Sequence, residues 1–271
     1  MNKHVNKVII QDDRVIKKRN DRLLELYEYF EDRGFTNYPK VLNVDESNIE
    51  SEYIKEGKIY ELYEGEELIK TLALLHSKTT ELKSVSKNKY RDIYDKISSN
   101  IEYMKKYYEE MISNIEEEVY MSPSHYLFAR NYSIIDSSIK YASNTLKRWF
   151  KMVCDKENER ICIIHNNASS HHHIKGDKNY LISFDNYLVD TPVLDLYKYY
   201  KNEGYKLNFI KLLSIYEQTN KLEPNEKLLL NILISIPPKI EESKNEYLNC
   251  TIIKKTYNYI YSSMNIVNQN K

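Results

Sequence analysis

Apolar residues fall in short clusters at the start of the chain and in long helical periods after it. Val5, Val8, Ile9 and Ile10 precede Asp12-Asp13-Arg14, and Val15-Ile16-Lys17-Lys18 follows. This predicts two short strands over 5–18 joined by a turn. Asn20 then suits a helix N-cap, and Leu23, Leu24, Leu26, Tyr27 and Phe30 recur on one face, predicting a helix over 21–33 that Gly34 can end. Val41 to Val44 and Ile49 to Ile54 flank the polar Asp45-Glu46-Ser47-Asn48 and predict a second strand pair. From about Tyr60 to Lys151 the pattern predicts successive helices with one break near Met121-Ser122-Pro123. Tyr103, Tyr107, Tyr108, Met111 and Ile115 lie at helical spacing there and read as core. Trp149 and Phe150 are expected to pack the same region. Strands return over 161–164 and 180–183, on either side of a hairpin turn at Lys175-Gly176-Asp177-Lys178. From about Val193 helices dominate again, interrupted by Pro224 and Pro237-Pro238.

Composition agrees with a mostly helical chain. Of 271 residues only 5 are Gly and 6 Pro, so sharp turns are few. The length suffices for one large domain or two lobes. Forty basic residues balance forty acidic ones, so no nucleic-acid partner is implied. The 26 Tyr are read as a consequence of an AT-rich genome. Three scattered cysteines without a C-x-x-C pair indicate neither a disulfide framework nor a zinc knuckle. There is no apolar signal region after Met1, and no window approaches the ~18 apolar residues of a membrane span. A soluble, cytoplasmic protein is expected.

The segment with most chemical content is Ile161 to Ile164 followed by His165-Asn166-Asn167 and, after the hairpin, by Ser183-Phe184-Asp185. One apolar strand runs into a His-led loop and a second into a short acidic step. Other segments stand around it in a fixed order. They are Val15-Ile16-Lys17-Lys18-Arg19, Arg33-Gly34-Phe35 to Leu42, Glu52-Tyr53-Ile54, Leu72-Ala73-Leu74-Leu75-His76 and Pro192-Val193-Leu194-Asp195-Leu196. In that order they resemble the aminoglycoside/choline phosphotransferase superfamily, and within it the bacterial spore-coat kinase-like proteins.

The resemblance implies an α+β, bilobal, protein-kinase-like fold. Residues 1–57 would form a reduced, β-rich N-lobe, and 58–271 a helical C-lobe carrying the catalytic hairpin at 161–185. It places the nucleotide-clamping lysine at Lys18, with Lys17 as the alternative because strand alternation turns one of them inward. Glu25, or Glu28 one turn on, would be its ion-pair partner, and Glu52 and Ile54 would lie at the nucleotide hinge. On the family motif His-Gly-Asp-Leu-x-x-x-Asn, His165 is retained. Asn166 replaces Gly, Asn167 replaces the catalytic Asp, and His172 falls on the metal-binding Asn. Ser183 replaces the first acid of the metal loop, while Asp185 keeps the second acidic position as the metal candidate. Asp195 is expected to cap a helix or to brace the loop.

Each replacement has a chemical cost. Asn167 can accept a hydrogen bond but cannot take a proton. Ser183 offers a neutral oxygen where Mg²⁺ prefers a carboxylate, and imidazole is a poor ligand for so hard an ion. No Gly precedes Gly34, so a Gly-rich phosphate loop is missing. The expectation is a pseudokinase without cofactor, serving as a structural or binding module. Coat or envelope proteins, a nucleotide or another small molecule would be its partners, with incorporation into a spore coat. The alternative is an active phosphotransferase using ATP and Mg²⁺, its metal held by Asp185 or Asp177. His171-His172-His173, with His165 and Asp185, also invites a Zn²⁺ reading, against a freely drifting exposed loop.

Overall fold

The computed structural model of the chain describes residues 8–11, 13–55, 57, 61–86 and 88–269. Val5, Asp12 and Tyr60 of the sequence reading lie outside them. In chain order the first elements are β1 (Ile9–Gln11), β2 (Arg14–Lys18), α1 (Asp21–Asp32), β3 (Val41–Val44), β4 (Asn48–Glu52) and α2 (Glu61–Thr79). Then come β5 (Glu81–Ser84), α3 (Lys89–Glu116), α4 (Pro123–Val153), β6 (Asn158–Ile164), β7 (His173–Lys175), β8 (Asn179–Leu181) and β9 (Leu188–Asp190). Four helices follow: α5 (Val193–Asn202), α6 (Phe209–Thr219), α7 (Pro224–Ser235) and α8 (Glu246–Gln269). Contacts divide the chain into two compact units. Their extents differ from the lobes 1–57 and 58–271 read from the sequence.

The first unit joins residues up to Glu81 with Ile161–Asp195 and Leu212–Lys221. Its antiparallel sheet has the order β1-β2-β4-β3, with Lys17 opposite Ile49. Helix α1 buries Leu23, Leu26 and Phe30, the inward side of the predicted face. Phe30 meets Phe35 and Phe184 edge to face at 5.0 and 5.2 Å, and Tyr27 stacks on Tyr38 at 4.9 Å, so an aromatic cluster anchors the helix. Gly34 follows it at φ +65°, the left-handed conformation that a glycine adopts without a Cβ penalty. Helix α2 buries Leu68, Ile69, Leu72, Ala73 and Leu75. The hairpin of β7 and β8 pairs His173 with Leu181, and the Gly176 N–H closes its turn on the Lys178 carbonyl, where the sequence predicts it.

The second unit is built on α4, which packs against α3, α7 and α8. Helix α3 buries Tyr90, Ile97, Ile101, Met104, Tyr108 and Ile115. Tyr103 of the predicted stripe is exposed instead, with the Lys239 ammonium 5.9 Å from its ring centroid. Trp149 is buried against Tyr90. Pro123 and Pro224 each open a helix, α4 capped by the Ser122 hydroxyl and α7 by a Glu223/Glu226 capping box.

Three strands differ from the sequence reading, one of them β7, which pairs with β8 where the strand over 161–164 does not. The helical run from about 60 to 151 is broken not once but twice, because β5 intervenes. The other addition is β9. Both flank β6 in a three-stranded sheet of order β5-β6-β9.

Candidate functional site

Asp195, the third residue of α5, organises the His-led loop. It is fully buried, and its carboxylate accepts the backbone N–H groups of His165 at 2.7 Å and Asn166 at 2.6 Å. The same carboxylate meets His76 Nε2 at 3.1 Å, and His76 Nδ1 meets the Tyr216 hydroxyl at 2.8 Å. Asn220 Nδ2 donates to that hydroxyl at 2.6 Å. A chain of contacts therefore runs from Asn220 through Tyr216 and His76 to the Asp195 carboxylate, which also receives the loop N–H groups. Burial alone would raise the Asp195 carboxyl above the usual carboxylate range, but His76, His165 and the Asn166 N–H outweigh it and hold the group below that range. Of the two roles read for Asp195, bracing the loop is the one the geometry displays.

The loop backbone accounts for Asn166. Its φ is +65°, a conformation in which Asn is the best tolerated residue after glycine. Its side chain donates to the Asn186 carbonyl at 2.8 Å. His165 is buried, and Nε2 lies 2.7 Å from the Ile182 carbonyl, so that nitrogen carries the hydrogen. Nδ1 then carries no proton and finds no partner among the described residues. Burial, the largest influence, pushes the imidazole below its ordinary value.

At the substituted positions, His172 Nδ1 lies 2.8 Å from the Asn167 carbonyl and 3.0 Å from the Ser169 hydroxyl. Ser183 sits at φ 65°, ψ 52°, ending the approach from β8. Asp185 lies on the short 3-10 turn that follows, its carboxylate 3.8 Å from Lys17 Nζ. These groups do not fit Mg²⁺. One donor is a neutral hydroxyl, one an imidazole committed to the backbone, and the remaining carboxylate faces an ammonium group. The three consecutive histidines diverge, with His171 exposed, His172 half-buried and His173 buried. Among the described residues no three His, Cys, Asp or Glu side chains are grouped to hold a metal ion. Asp177, the other acid considered, is exposed in the hairpin turn and accepts the Tyr180 hydroxyl at 2.6 Å.

A cavity of about 250 Å³ lies beside this loop, within the first unit. Val15, Ile49 and Ile10 line it from the sheet, Val8 from just before β1, and Ile174 and Ile182 from the hairpin and the residue after it. Tyr27, Ser183 and Ile54 are also part of the wall. On β2, Val15 and Lys17 share the inward face, as alternation requires. The structure thus corrects the choice of Lys18: that residue is exposed at the cavity rim, and Lys17 reaches Asp185. The partner is also corrected. Glu25 and Glu28 are exposed, and Glu25 lines a separate hollow with Tyr29 and Glu81. Glu52 lines the cavity, but one carboxylate oxygen accepts the Lys40 N–H at 2.9 Å. Ile54 also lines the cavity.

Sequence reasoning missed Tyr27, Ile174 and Ile182 as cavity residues, because apolar periodicity marks a cavity wall and a packed core alike. It also missed Tyr216 and Asn220. A polar pair four apart at the end of an apolar helix was the available signal.

The chain superposes on an aminoglycoside phosphotransferase from Alicyclobacillus acidocaldarius subsp. acidocaldarius with a TM-score of 0.67 and 8% identity, over 97% of this chain and 92% of that one. A spectinomycin phosphotransferase, solved with ADP and spectinomycin, gives a TM-score of 0.48 at 12% identity, over 93% and 85% of the two chains. A choline/ethanolamine kinase family protein from Mesorhizobium loti gives 0.42 at 12%, over 96% and 89%. No protein-family model matches the chain, and no curated protein matches it in sequence. The fold is the α+β kinase-like fold of the aminoglycoside phosphotransferases, with a β-rich N-terminal region and a helical C-terminal region. Among the described residues no helix is long and apolar enough to cross a membrane.

Proposed function

We propose that this protein is a pseudokinase: a kinase-like module that holds a small ligand in the cavity beside the His165 loop and transfers no phosphoryl group. The observation that carries this reading is the fate of the one acid retained at the metal loop, Asp185, which faces Lys17 across 3.8 Å. Phosphoryl transfer needs a metal on hard oxygen ligands, a lysine free for phosphate and a group that orients the acceptor hydroxyl. Here lysine and acid meet each other, Asn167 stands at the base position and Ser183 at the first metal position. The braced loop and the apolar cavity support a binding role. A place in a spore coat, with coat or envelope proteins as partners, rests on the sequence resemblance alone.

The test is an ATP-consumption assay with Mg²⁺ and Mn²⁺ against a panel of amino alcohols and aminoglycosides. No turnover above buffer is expected. ATP-dependent phosphorylation of any acceptor that disappears in Asp185→Ala would defeat the reading. A thermal-shift screen of small ligands on the same protein should show stabilisation by at least one, since a ligand bound only by the folded state raises its melting temperature.

A further inference from the structure

The C-terminal end of α3 breaks a local rule. A helix carries partial negative charge at that end, so acids there are unfavourable and bases favourable. Glu116 closes α3, Glu117 caps it and Glu118 follows, with no basic residue in the last turn. Glu116 and Glu117 are exposed and make no ion pair among the described residues. An uncompensated local conflict of this kind is where a function is expected.

Apolar residues beside it are also misplaced. Val119, Tyr120 and Met121 come next, the first two 88% and 91% exposed. The first turn of α8 adds Tyr247, 82% exposed, and Leu248. The two segments adjoin. The Glu246 carboxylate accepts the Ser124 N–H and hydroxyl, and His125 lies 2.7 Å from Glu118 and 3.1 Å from Glu242. Single apolar residues on a surface are ordinary, whereas a joined group rimmed by charge marks a contact surface. Next to it opens a hollow of about 410 Å³, with Tyr107, Met111 and Ile115 in its wall and Glu110, Glu118 and Glu242 as its acids. All these residues belong to the second unit, whereas the His165 loop and its cavity belong to the first.

Charge selects the occupant. Segments 114–126 and 239–248 together hold six acidic residues against Lys239, Lys244 and His125. Lys239 is turned over the Tyr103 and Tyr107 rings, and Lys106 approaches Glu110 only to 3.9 Å. In a two-fold dimer the same patch faces itself, so acids would meet acids. An anionic membrane surface is repelled for the same reason. A cationic partner is attracted, and the hollow suits its side chain. A Lys or Arg stem covers Met111 and Ile115 while its charged end meets the carboxylates. The exposed tyrosines add apolar and cation–π contact at the margin.

We propose that this end of the second unit docks a partner protein through a segment combining basic and apolar residues, with a Lys or Arg side chain in the hollow. This goes beyond the ligand reading above and does not depend on it. The test is selection of random peptides displayed on phage against the full chain, followed by fluorescence anisotropy of the enriched peptides. They should combine Lys or Arg with apolar residues and lose affinity as salt rises. Glu117→Lys and Tyr247→Ser should each weaken them about tenfold, the scale of an interface hot spot. Glu46→Lys, on the exposed turn between β3 and β4, should change nothing. Glu117→Lys should also raise the melting temperature, because a base then stands at the helix C-terminus; lost binding in a more stable protein is not misfolding. No enrichment, enriched peptides without basic residues, or equal affinity for Glu117→Lys overturns the proposal. A dimer in sedimentation velocity, or binding to anionic vesicles, that Tyr247→Ser abolishes also overturns it, since the patch then serves a second copy or a membrane.

Discussion

Asp195 shows how one side chain holds a loop whose other chemistry has changed. Its carboxylate receives two backbone N–H groups and His76 in full burial. Removing one partner of a buried, hydrogen-bonded charge leaves the others unpaired. Asp195→Ala should therefore lower stability by ~3 kcal/mol or more in urea denaturation. Tyr216→Phe, which breaks the chain at its far end, should cost only about 1 kcal/mol. His173 makes a pH prediction. The ring is buried, and neither nitrogen finds a partner among the described residues. Burial, the largest influence, pushes its pKa down from 6.5 to about 4. The unfolded chain thus binds a proton in this range that the folded chain refuses, so the stability contribution is present above pH 6.5 and lost as pH falls toward 4. His173→Leu should flatten the loss of stability between pH 6.5 and 4.5, measured by urea midpoints. An unchanged slope would mean that other groups set the acid sensitivity. Of these two residues, Asp195 stood out in sequence from its place at the start of an apolar helix, with capping and bracing both open. The burial of His173 was not, because a run of three histidines carries no signal of which one turns inward.

At the scale of elements, the strained backbone positions make the sharpest tests. Gly34 and Ser183 both sit near φ +65°. Gly34→Ala should cost about 1 kcal/mol, because a Cβ in the left-handed region crowds the following carbonyl oxygen. Ser183→Gly should run the other way and raise the melting temperature of the ligand-free protein, by relieving the same crowding. Differential scanning calorimetry of the two variants reads both signs. The helices and the 175–178 hairpin were readable because their signals are local: periodicity in α1 and α3, proline and serine at the head of α4, and a Gly-Asp turn. Strands β5 and β9 were not. Leu82, Leu188 and Val189 are exposed, so neither strand shows an inward apolar face. Each exists because β6, far away in sequence, offers it an edge, as when the Val85 N–H bonds to the Glu157 carbonyl just beyond β5. Choosing Lys17 over Lys18 likewise needed a register that sequence alternation leaves open by one residue.

For the molecule as a whole, the kinase-like fold was legible because its signature segments are spread along most of the chain in fixed order. The extents of the contact units were not, since they depend on long-range packing. The first unit needs Ile161–Asp195 and Leu212–Lys221 as well as the N-terminal residues. A fragment ending at Glu81 lacks Phe184, which packs on Phe30, and Asp195, which holds His76. Such a fragment should show no cooperative thermal transition by circular dichroism, whereas the full chain should unfold cooperatively. A sharp transition in the fragment would show that the sheet and α1 suffice alone. The same discontinuity sets a timetable on the ribosome. At ~5–20 residues per second, the β1-β2-β4-β3 sheet emerges many seconds before the segment carrying Phe184 and Asp195. During that interval the sheet lacks the packing that Phe184 and Asp195 bring, and the edge of β1, whose Ile9 and Ile10 are exposed in the folded chain as well, is open to pairing with other nascent chains. Synthesis speed across residues 82–160 therefore becomes a determinant of yield.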